Sequence, residues 1–255
     1  MKVVSYLINL DGSDERLAKA TAQLEQNQFA FTRFSAFDGR GKPLSDFADY
    51  NDAKSIDVMG RSLISSEVGC YKSHLGCVEK FLATDADYLV VLEDDIEIID
   101  HDFANVMQEM LQWLDDHPEI QWYAINLGAK KNKLSRTIYQ AHKHALVKAY
   151  YYPIRFIGMV WSRTGAQAFV DHAKPEIYMP VDNLAQSWLS ANGKGLSVWP
   201  PLVRPNGSDS DIDGADATQS IKRNDKAGRK LGYGLKKQKR MWRDRFNAAK
   251  NKYLG

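Results

Sequence analysis

Apolar positions along the chain follow two alternating periods. Runs rich in apolar residues at 3–10, 29–37, 88–92 and 122–128 have strand length, and between them apolar residues recur three or four positions apart. These are the marks of buried strands and amphipathic helices. A first strand at 3–10 leads to a helix that Asp11 or Ser13 can cap and that runs through Leu17 and Leu24. A second strand at 29–37 ends in the turn Asp38-Gly39, and residues 40–61 read as a polar, irregular loop long enough to be functional. Helices are predicted at 66–82, 102–115, 164–172 and 182–191, and further strands at 145–152, 155–161 and 196–199. Strands alternating with helices imply an α/β fold with a mostly parallel central sheet flanked by helices.

The strand at 88–92 carries the strongest chemical signal. Leu89-Val90-Val91-Leu92 is apolar without interruption, as in a strand buried on both faces, and stops at three consecutive acids, Glu93, Asp94 and Asp95. Open α/β sheets bind ligands beyond the carboxyl ends of their strands. Three carboxylates there repel one another unless a cation sits among them. A solvated acidic turn is the plainer reading. On the helix at 66–82, Val68, Tyr71, Leu75, Val78 and Leu82 form the core stripe, with Glu67, Cys70 and His74 beside it. A carboxylate and an imidazole on a largely buried face need partners, either a structural tie to a loop or a substrate contact.

Length and composition fit one enzyme-sized domain: 255 residues, 44% of them hydrophobic, can bury a sizeable core. No apolar stretch approaches the ~20 residues of a membrane span. The run at 3–8 is broken by Ser5 and stopped by Asn9 and Asp11, unlike a signal peptide. Cys70 and Cys77 on one helix would stand roughly 10 Å apart, too far for a disulfide, so a reducing, cytoplasmic setting is expected. The net charge of +2 conceals an asymmetry. Residues 221–255 carry 13 basic and 2 acidic side chains, while the other 220 residues carry 21 and 30. A body at 1–204 is thus joined to a basic tail at 221–255 through a Gly-, Ser- and Asp-rich linker at 205–220.

Four segments, in order, resemble glycosyltransferase family 25, which includes bacterial lipopolysaccharide galactosyltransferases and related collagen-modifying enzymes. They are Asn9-Leu10-Asp11 with Arg16, the Arg-Phe-Ser-Ala-Phe-Asp-Gly run at 33–39, the Ser-Glu-Val-Gly-Cys-Tyr-Lys-Ser-His run at 66–74, and Val91-Leu92-Glu93-Asp94-Asp95. Pro200-Pro201-Leu202-Val203 and Ser210-Asp211-Ile212 look like later landmarks, so the similarity covers about 1–212. The resemblance implies a GT-A type nucleotide-sugar fold, a UDP-sugar donor, often UDP-galactose, and inversion at the anomeric carbon. It also implies a divalent ion, Mn²⁺ or Mg²⁺, on an Asp-x-Asp motif that here reads Glu93-Asp94-Asp95. Asp95 becomes the direct metal ligand, and Glu93 a further ligand or a group facing the ribose or a metal-bound water. Asn9, Asp11, Arg16, Ala36, Asp38, His74, Glu93 and Asp94 become donor-binding positions.

The chemistry agrees with that assignment. Breaking a sugar–phosphate bond loads negative charge on the leaving UDP, which a divalent ion offsets. Oxygen ligands suit Mg²⁺ or Mn²⁺, and no His/Cys cluster has zinc spacing. Inversion also needs a base for the acceptor hydroxyl. Asp182, at the start of a predicted helix, is the candidate, with a capping role as its alternative and Glu67 in reserve. The Asp-Ser-Asp-Ile-Asp-Gly run at 209–214 imitates the start of a calcium loop. Asp216 and Ser220, however, stand where that loop needs an apolar residue and a closing Glu. A lid that excludes water over the donor is the expectation there.

In the tail, Trp242, Phe246, Ala249 and Tyr253 share one helical face among Lys239, Arg240, Arg243, Arg245, Lys250 and Lys252. Such a helix suits an anionic membrane surface that presents a lipid-linked oligosaccharide acceptor. Packing on the acidic body is the alternative, and nucleic acid, which attracts the same charges, is not the expected partner. The expected function is inverting, metal-dependent transfer of a sugar, galactose by resemblance, to a lipopolysaccharide or lipooligosaccharide core. The expected location is cytoplasmic, peripheral on the inner face of the bacterial inner membrane. A catalytically inactive sugar- or nucleic-acid-binding protein on the same fold is the alternative. A hydrolase is disfavoured, since adjacent carboxylates on one strand end are poorly placed to flank a glycosidic bond.

Overall fold

The computed structural model describes residues 1–207 and 229–254. The first half of the chain forms β1 (Val3–Asn9), α1 (Asp14–Gln26), β2 (Thr32–Ser35), α2 (Asp52–Met59), α3 (Ser65–Leu82), β3 (Tyr88–Glu93), β4 (Ile96–Ile98) and α4 (Phe103–Asp115). The second half forms β5 (Ala124–Asn126), β6 (Lys133–Ala141), β7 (His144–Tyr151), β8 (Gly158–Ser162) and α5 (Arg163–Ala173). It continues with α6 (Val181–Asn192), β9 (Gly195–Trp199), β10 (Val203–Pro205) and α7 (Tyr233–Tyr253).

Eight strands make one sheet in the order β2-β1-β3-β8-β5-β9-β7-β6. The pairings β1–β2, β1–β3 and β5–β9 are parallel, and β8 and β7 run against the other six strands. The expected α/β architecture, mostly parallel by strand direction, is therefore present.

Helices cover both faces. Alternate residues of β3 enter opposite cores: Leu89 and Val91 pack with Val68 of α3, Phe169 of α5 and Leu184 of α6, while Val90 and Leu92 pack with Leu24 of α1 and Leu111 of α4. A strand covered on both sides must be apolar at every position, which is why 88–92 shows no alternation.

Some expectations are corrected. Residues 40–61 are not one irregular loop: α2 forms within them, its first turn capped by the Asn51 side chain, which accepts from Lys54 N at 2.9 Å. The strand β6 had no sequence signal, because its polar residues form an exposed edge paired only with β7. The short strands β4 and β10 pair antiparallel just past the acidic triplet, and Asn206 N donates to Asp95 O at 2.8 Å. The expected linker and lid at 205–220, with its calcium-like run and the Ser210–Ile212 landmark, lies from 208 onward outside the described residues.

The tail helix α7 packs on the body through a mixed face, burying Ala248 against Tyr150 and Tyr151 of β7. Ser187 of α6 donates to the buried carboxylate of Asp244 at 2.7 Å, and Asn251 Nδ2 donates to the carbonyls of Ser190 and Ala191 at 3.0 and 3.1 Å. Lys236 donates to Ile56 O and Arg240 to Val58 O, at 3.2 and 3.4 Å, at the end of α2. Trp242, Phe246 and Tyr253 point the other way and remain 66%, 71% and 69% exposed.

Candidate functional site

The carboxyl ends of β2, β1 and β3, together with the first turns of α3, enclose a cleft of about 640 Å³, open to solvent. That is the position at which an α/β sheet holds a small-molecule ligand. Two glycines let its walls close. A Cβ on Gly39 would lie 2.0 Å from Ser65 O, and one on Gly69 would lie 2.6 Å from Phe37 O. The loop after β2 can therefore rest directly on α3. Phe37 N completes the seam by donating to Ser73 Oγ at 2.8 Å.

The three acids of the triplet have separate fates. Asp94 is buried and already engaged: it accepts from Asn9 Nδ2 at 2.7 Å and from Arg16 Nη2 at 2.5 Å. This clamp ties the ends of β1 and β3 to α1. Glu93 Oε1 lies 2.8 Å from His74 Nε2 and 4.0 Å from Cys70 Sγ. Asp95 differs from both. Its Oδ1 is buried without a hydrogen-bond partner, and burial, followed by the charge of Glu93, pushes its carboxyl up to about 7. An orphaned buried carboxylate oxygen beside a second carboxylate is what a hard divalent cation relieves. The residues present thus fit such an ion, with Asp95 and Glu93 as its protein ligands.

Of the residues singled out in the sequence, Asn9, Arg16, Ala36, Asp38, His74, Glu93, Asp94 and Asp95 all line this cleft. Asp38 is held by Arg40, whose Nε and Nη2 donate at 2.9 and 2.8 Å and keep its carboxyl below the usual range. Asp11, Glu67 and Asp182 do not line it. Asp11 is exposed and pairs with Arg33 at 2.5 Å.

Glu67 is buried, receives both terminal nitrogens of Arg61 at 2.8 and 2.7 Å, and accepts from Ile64 N at 3.1 Å. It starts α3 and ties it to the preceding loop, the structural alternative foreseen for it. Asp182 is not the cap of α6, a position held by Pro180; it sits in the first turn and accepts from Asn183 N at 2.7 Å.

Sequence reasoning missed Phe37, Arg40 and Ser73 as lining residues, and Arg61 as the partner of Glu67. The paired glycines Gly39 and Gly69 were the available signal for the close loop–helix approach. Sequence spacing also showed no soft-metal cluster, yet the fold brings ligand atoms of Cys70, His74 and Glu93 within 4.8 Å of one another.

The family model and the curated relatives point to one family. The model of "Glycosyltransferase family 25 (LPS biosynthesis protein)" matches residues 3–185. A protein of Aedes aegypti named "Glycosyltransferase 25 family member" is 27% identical over 224 residues, covering 78% of this chain and 35% of that protein. "Procollagen galactosyltransferase 1" of Danio rerio is 25% identical over 186 residues, 69% of this chain and 30% of that protein. The chain thus spans about a third of the length of these relatives. Among solved structures, a glycosyltransferase involved in glycosylation of the major capsid of PBCV-1 is similar at a TM-score of 0.42 and 9% identity, covering 82% of this chain and 95% of that one. With a family match over more than two thirds of its residues, centred on the strands and helices that build the cleft, this chain belongs to glycosyltransferase family 25.

Proposed function

We propose that this protein is an inverting, metal-dependent transferase of GT-A type that moves galactose from UDP-galactose to a saccharide of a lipopolysaccharide or lipooligosaccharide core. The observation that carries the reading is the buried, unpartnered Oδ1 of Asp95 at the carboxyl end of β3. A divalent cation, Mn²⁺ or Mg²⁺, held by Asp95 and Glu93 would offset the charge that develops on the departing UDP. The protein's own part is preorganisation. Asn9 and Arg16 fix Asp94 and hence the turn that carries Asp95, and His74 fixes Glu93. Family membership and the name of the Danio relative support the sugar donor.

Asp182 is the proposed base. Helix α6 leads into β9, which runs parallel to β5, so the N-terminus of α6 lies at the same edge of the sheet as the end of β3. In the reaction an acceptor hydroxyl oxygen bonds to the anomeric carbon and its proton passes to Asp182. The sugar–phosphate bond breaks with its electron pair leaving on UDP. Glu67, bound by Arg61, anchors α3 instead.

The exposed aromatic seam of α7 is proposed to rest on an anionic membrane that presents a lipid-linked acceptor. It is flanked by Lys239, Lys250 and Arg243 on one side and by Arg245 and Lys252 on the other. No described helix is long and apolar enough to cross a membrane. Deleting the tail would remove the Asp244 and Asn251 anchors, so the seam is better tested by point substitution. Serine at Trp242, Phe246 and Tyr253 should preserve transfer to a soluble acceptor and weaken sedimentation with phosphatidylserine vesicles. Unchanged sedimentation refutes the membrane reading.

The central experiment is release of UDP from UDP-galactose with a lipooligosaccharide-core acceptor, with Mn²⁺ and with EDTA. Turnover that needs the ion supports the proposal. Equal rates in both refute metal dependence, and no turnover with any UDP-sugar returns the protein to the sugar-binding alternative.

A further inference from the structure

One group of side chains in the cleft has a chemistry that a hard cation does not use. Cys70 and His74 stand four residues apart on α3, so both project from one face of the helix toward the end of β3. There they meet Glu93: Nε2 of His74 lies 2.8 Å and Sγ of Cys70 4.0 Å from the same oxygen, Oε1. The three ligand atoms all lie within 4.8 Å of one another. Atoms so spaced share a centre roughly 2.0–2.4 Å from each, the length of bonds from zinc to imidazole nitrogen, carboxylate oxygen and thiolate sulfur. The spacing needs no displacement of α3 or β3.

The surroundings keep this cluster both fixed and reachable. His74 is buried, its ring packed edge-on against Phe156 with centroids 5.1 Å apart. Its Nδ1 is buried and has no hydrogen-bond partner among the described residues, so the imidazole makes its polar contact through Nε2, the atom turned to Glu93. Cys70 and Glu93 are partly exposed, and all three residues line the open cleft. Solvent can thus deliver an ion and complete its coordination at a fourth position. Ligand type then decides which ion. A thiolate, an imidazole and one carboxylate select zinc over Mg²⁺ and Mn²⁺, which prefer oxygen. Glu93 stands between the two choices. With the neighbouring Asp95 it offers oxygens to a hard ion, and with Cys70 and His74 it completes a softer set.

We propose that Cys70, His74 and Glu93 bind one Zn²⁺ ion, and that zinc there takes Glu93 away from the Mn²⁺ or Mg²⁺ ion. Zinc bonds to Sγ, Nε2 and Oε1, the Cys70 thiol proton passes to water, and a water molecule fills the fourth position. The zinc site stands on its own geometry. Its competition with Mn²⁺ rests on the metal-dependent transferase reading above, so the test measures binding of each ion rather than turnover.

The full chain, stripped of metal with EDTA and desalted, is titrated with Co²⁺ as a spectroscopic stand-in for zinc, and with Zn²⁺ against a chromophoric chelator. One equivalent should bind, and the cobalt form should show the sulfur-to-metal charge-transfer absorption that a thiolate ligand gives. Cys70→Ser should abolish that absorption and weaken zinc binding roughly 100-fold or more. In the unaltered chain zinc should also protect Cys70 from iodoacetamide, with the fully buried Cys77 as internal reference. Mn²⁺ bound to the chain, followed by electron paramagnetic resonance, should be released by one equivalent of zinc. A cobalt complex without the sulfur band, or zinc affinity in Cys70→Ser equal to that of the unaltered chain, would overturn the zinc site. Unchanged alkylation of Cys70 with zinc bound would overturn it too. Mn²⁺ and zinc held together would overturn the competition. If the chain binds zinc at Cys70 but no Mn²⁺, the competition falls with the metal-dependent reading and the zinc site stands.

Discussion

In the half of the sheet built from β2, β1 and β3, charged side chains answer one another inside the protein. Arg16 meets Asp94, Arg33 meets Asp11, and Arg40 meets Asp38. In the half built from β5, β9, β7 and β6, Lys143 meets Asp100, while other cations face solvent or one another. Lys130, Lys131 and Lys133 are exposed before and at the start of β6, and Lys148 on β7 has its ammonium pushed down to about 8 by burial and by the nearby charges of Lys194 and Arg136. Charges paired within the fold are spent on preorganisation. A buried charge left without a counterpart, such as Asp95 Oδ1, is where the proposed cation would complete the electrostatics.

The contrast can be broken most severely at Asp95. Asp95→Asn keeps the shape of the side chain and removes the charge at the buried, unpartnered Oδ1, so kcat should fall roughly 10³-fold or more with the fold intact. Steady-state rates at saturating Mn²⁺, with circular dichroism as control, check this; near-normal turnover would place the ion elsewhere. Asp182→Asn should lower kcat by roughly 10²- to 10³-fold and leave calorimetric UDP-galactose affinity unchanged, because a base acts on the acceptor in the transition state. Wild-type rates would return Asp182 to a purely structural place in α6.

A third change tests preorganisation itself. In Gly69→Ala the new methyl would press on the backbone oxygen of Phe37 at 2.6 Å, which cannot swing aside as a side chain would. Stability should drop by about 2–3 kcal/mol in urea denaturation, and donor affinity should fall with it as the cleft wall is displaced. Unchanged values for both would show that the loop after β2 yields freely.

The smallest effect belongs to Lys148. Its folded pKa of about 8 lies below the ordinary 10.5, so the unfolded chain holds the proton more tightly. The charge therefore costs stability below pH 8, and that cost fades as pH rises from about 8 through 10.5. Lys148→Met should raise stability at pH 7 by about 1 kcal/mol and remove that part of the alkaline dependence. Thermal melts at pH 7 and pH 10 read both quantities, and a destabilised variant would show that the ammonium is well accommodated.

Much of the half built from β2, β1 and β3 was legible because its signals are local. The unbroken apolar run of β3, the acids that end it and the 3.6-residue stripe of α3 each need only a short window of sequence. The cation-rich half was less so. Strand β6 is a polar edge with one neighbour, and its connection to β5 places lysines beside Arg155 only once β8 is laid against β5. Helix α2 was hidden for a similar reason: it is short, begins on the Asn51 cap, and is held beyond its end by Ser55, which donates to Arg61 O at 2.9 Å.

The sequence by itself determined the alternation of strands and helices and the placing of Glu93, Asp94 and Asp95 at a strand end, since both follow from residue period and residue type. Only the tertiary structure decided that Asp94 is clamped while Asp95 is left open, because the answering Arg16 stands 78 residues away. It also decided that Glu67 serves α3 and that α7 packs through Asp244 and Ala248 with its aromatic seam outward. Two neighbouring carboxylates are chemically alike in the chain. Which of them finds a partner depends on where the rest of the fold brings its cations.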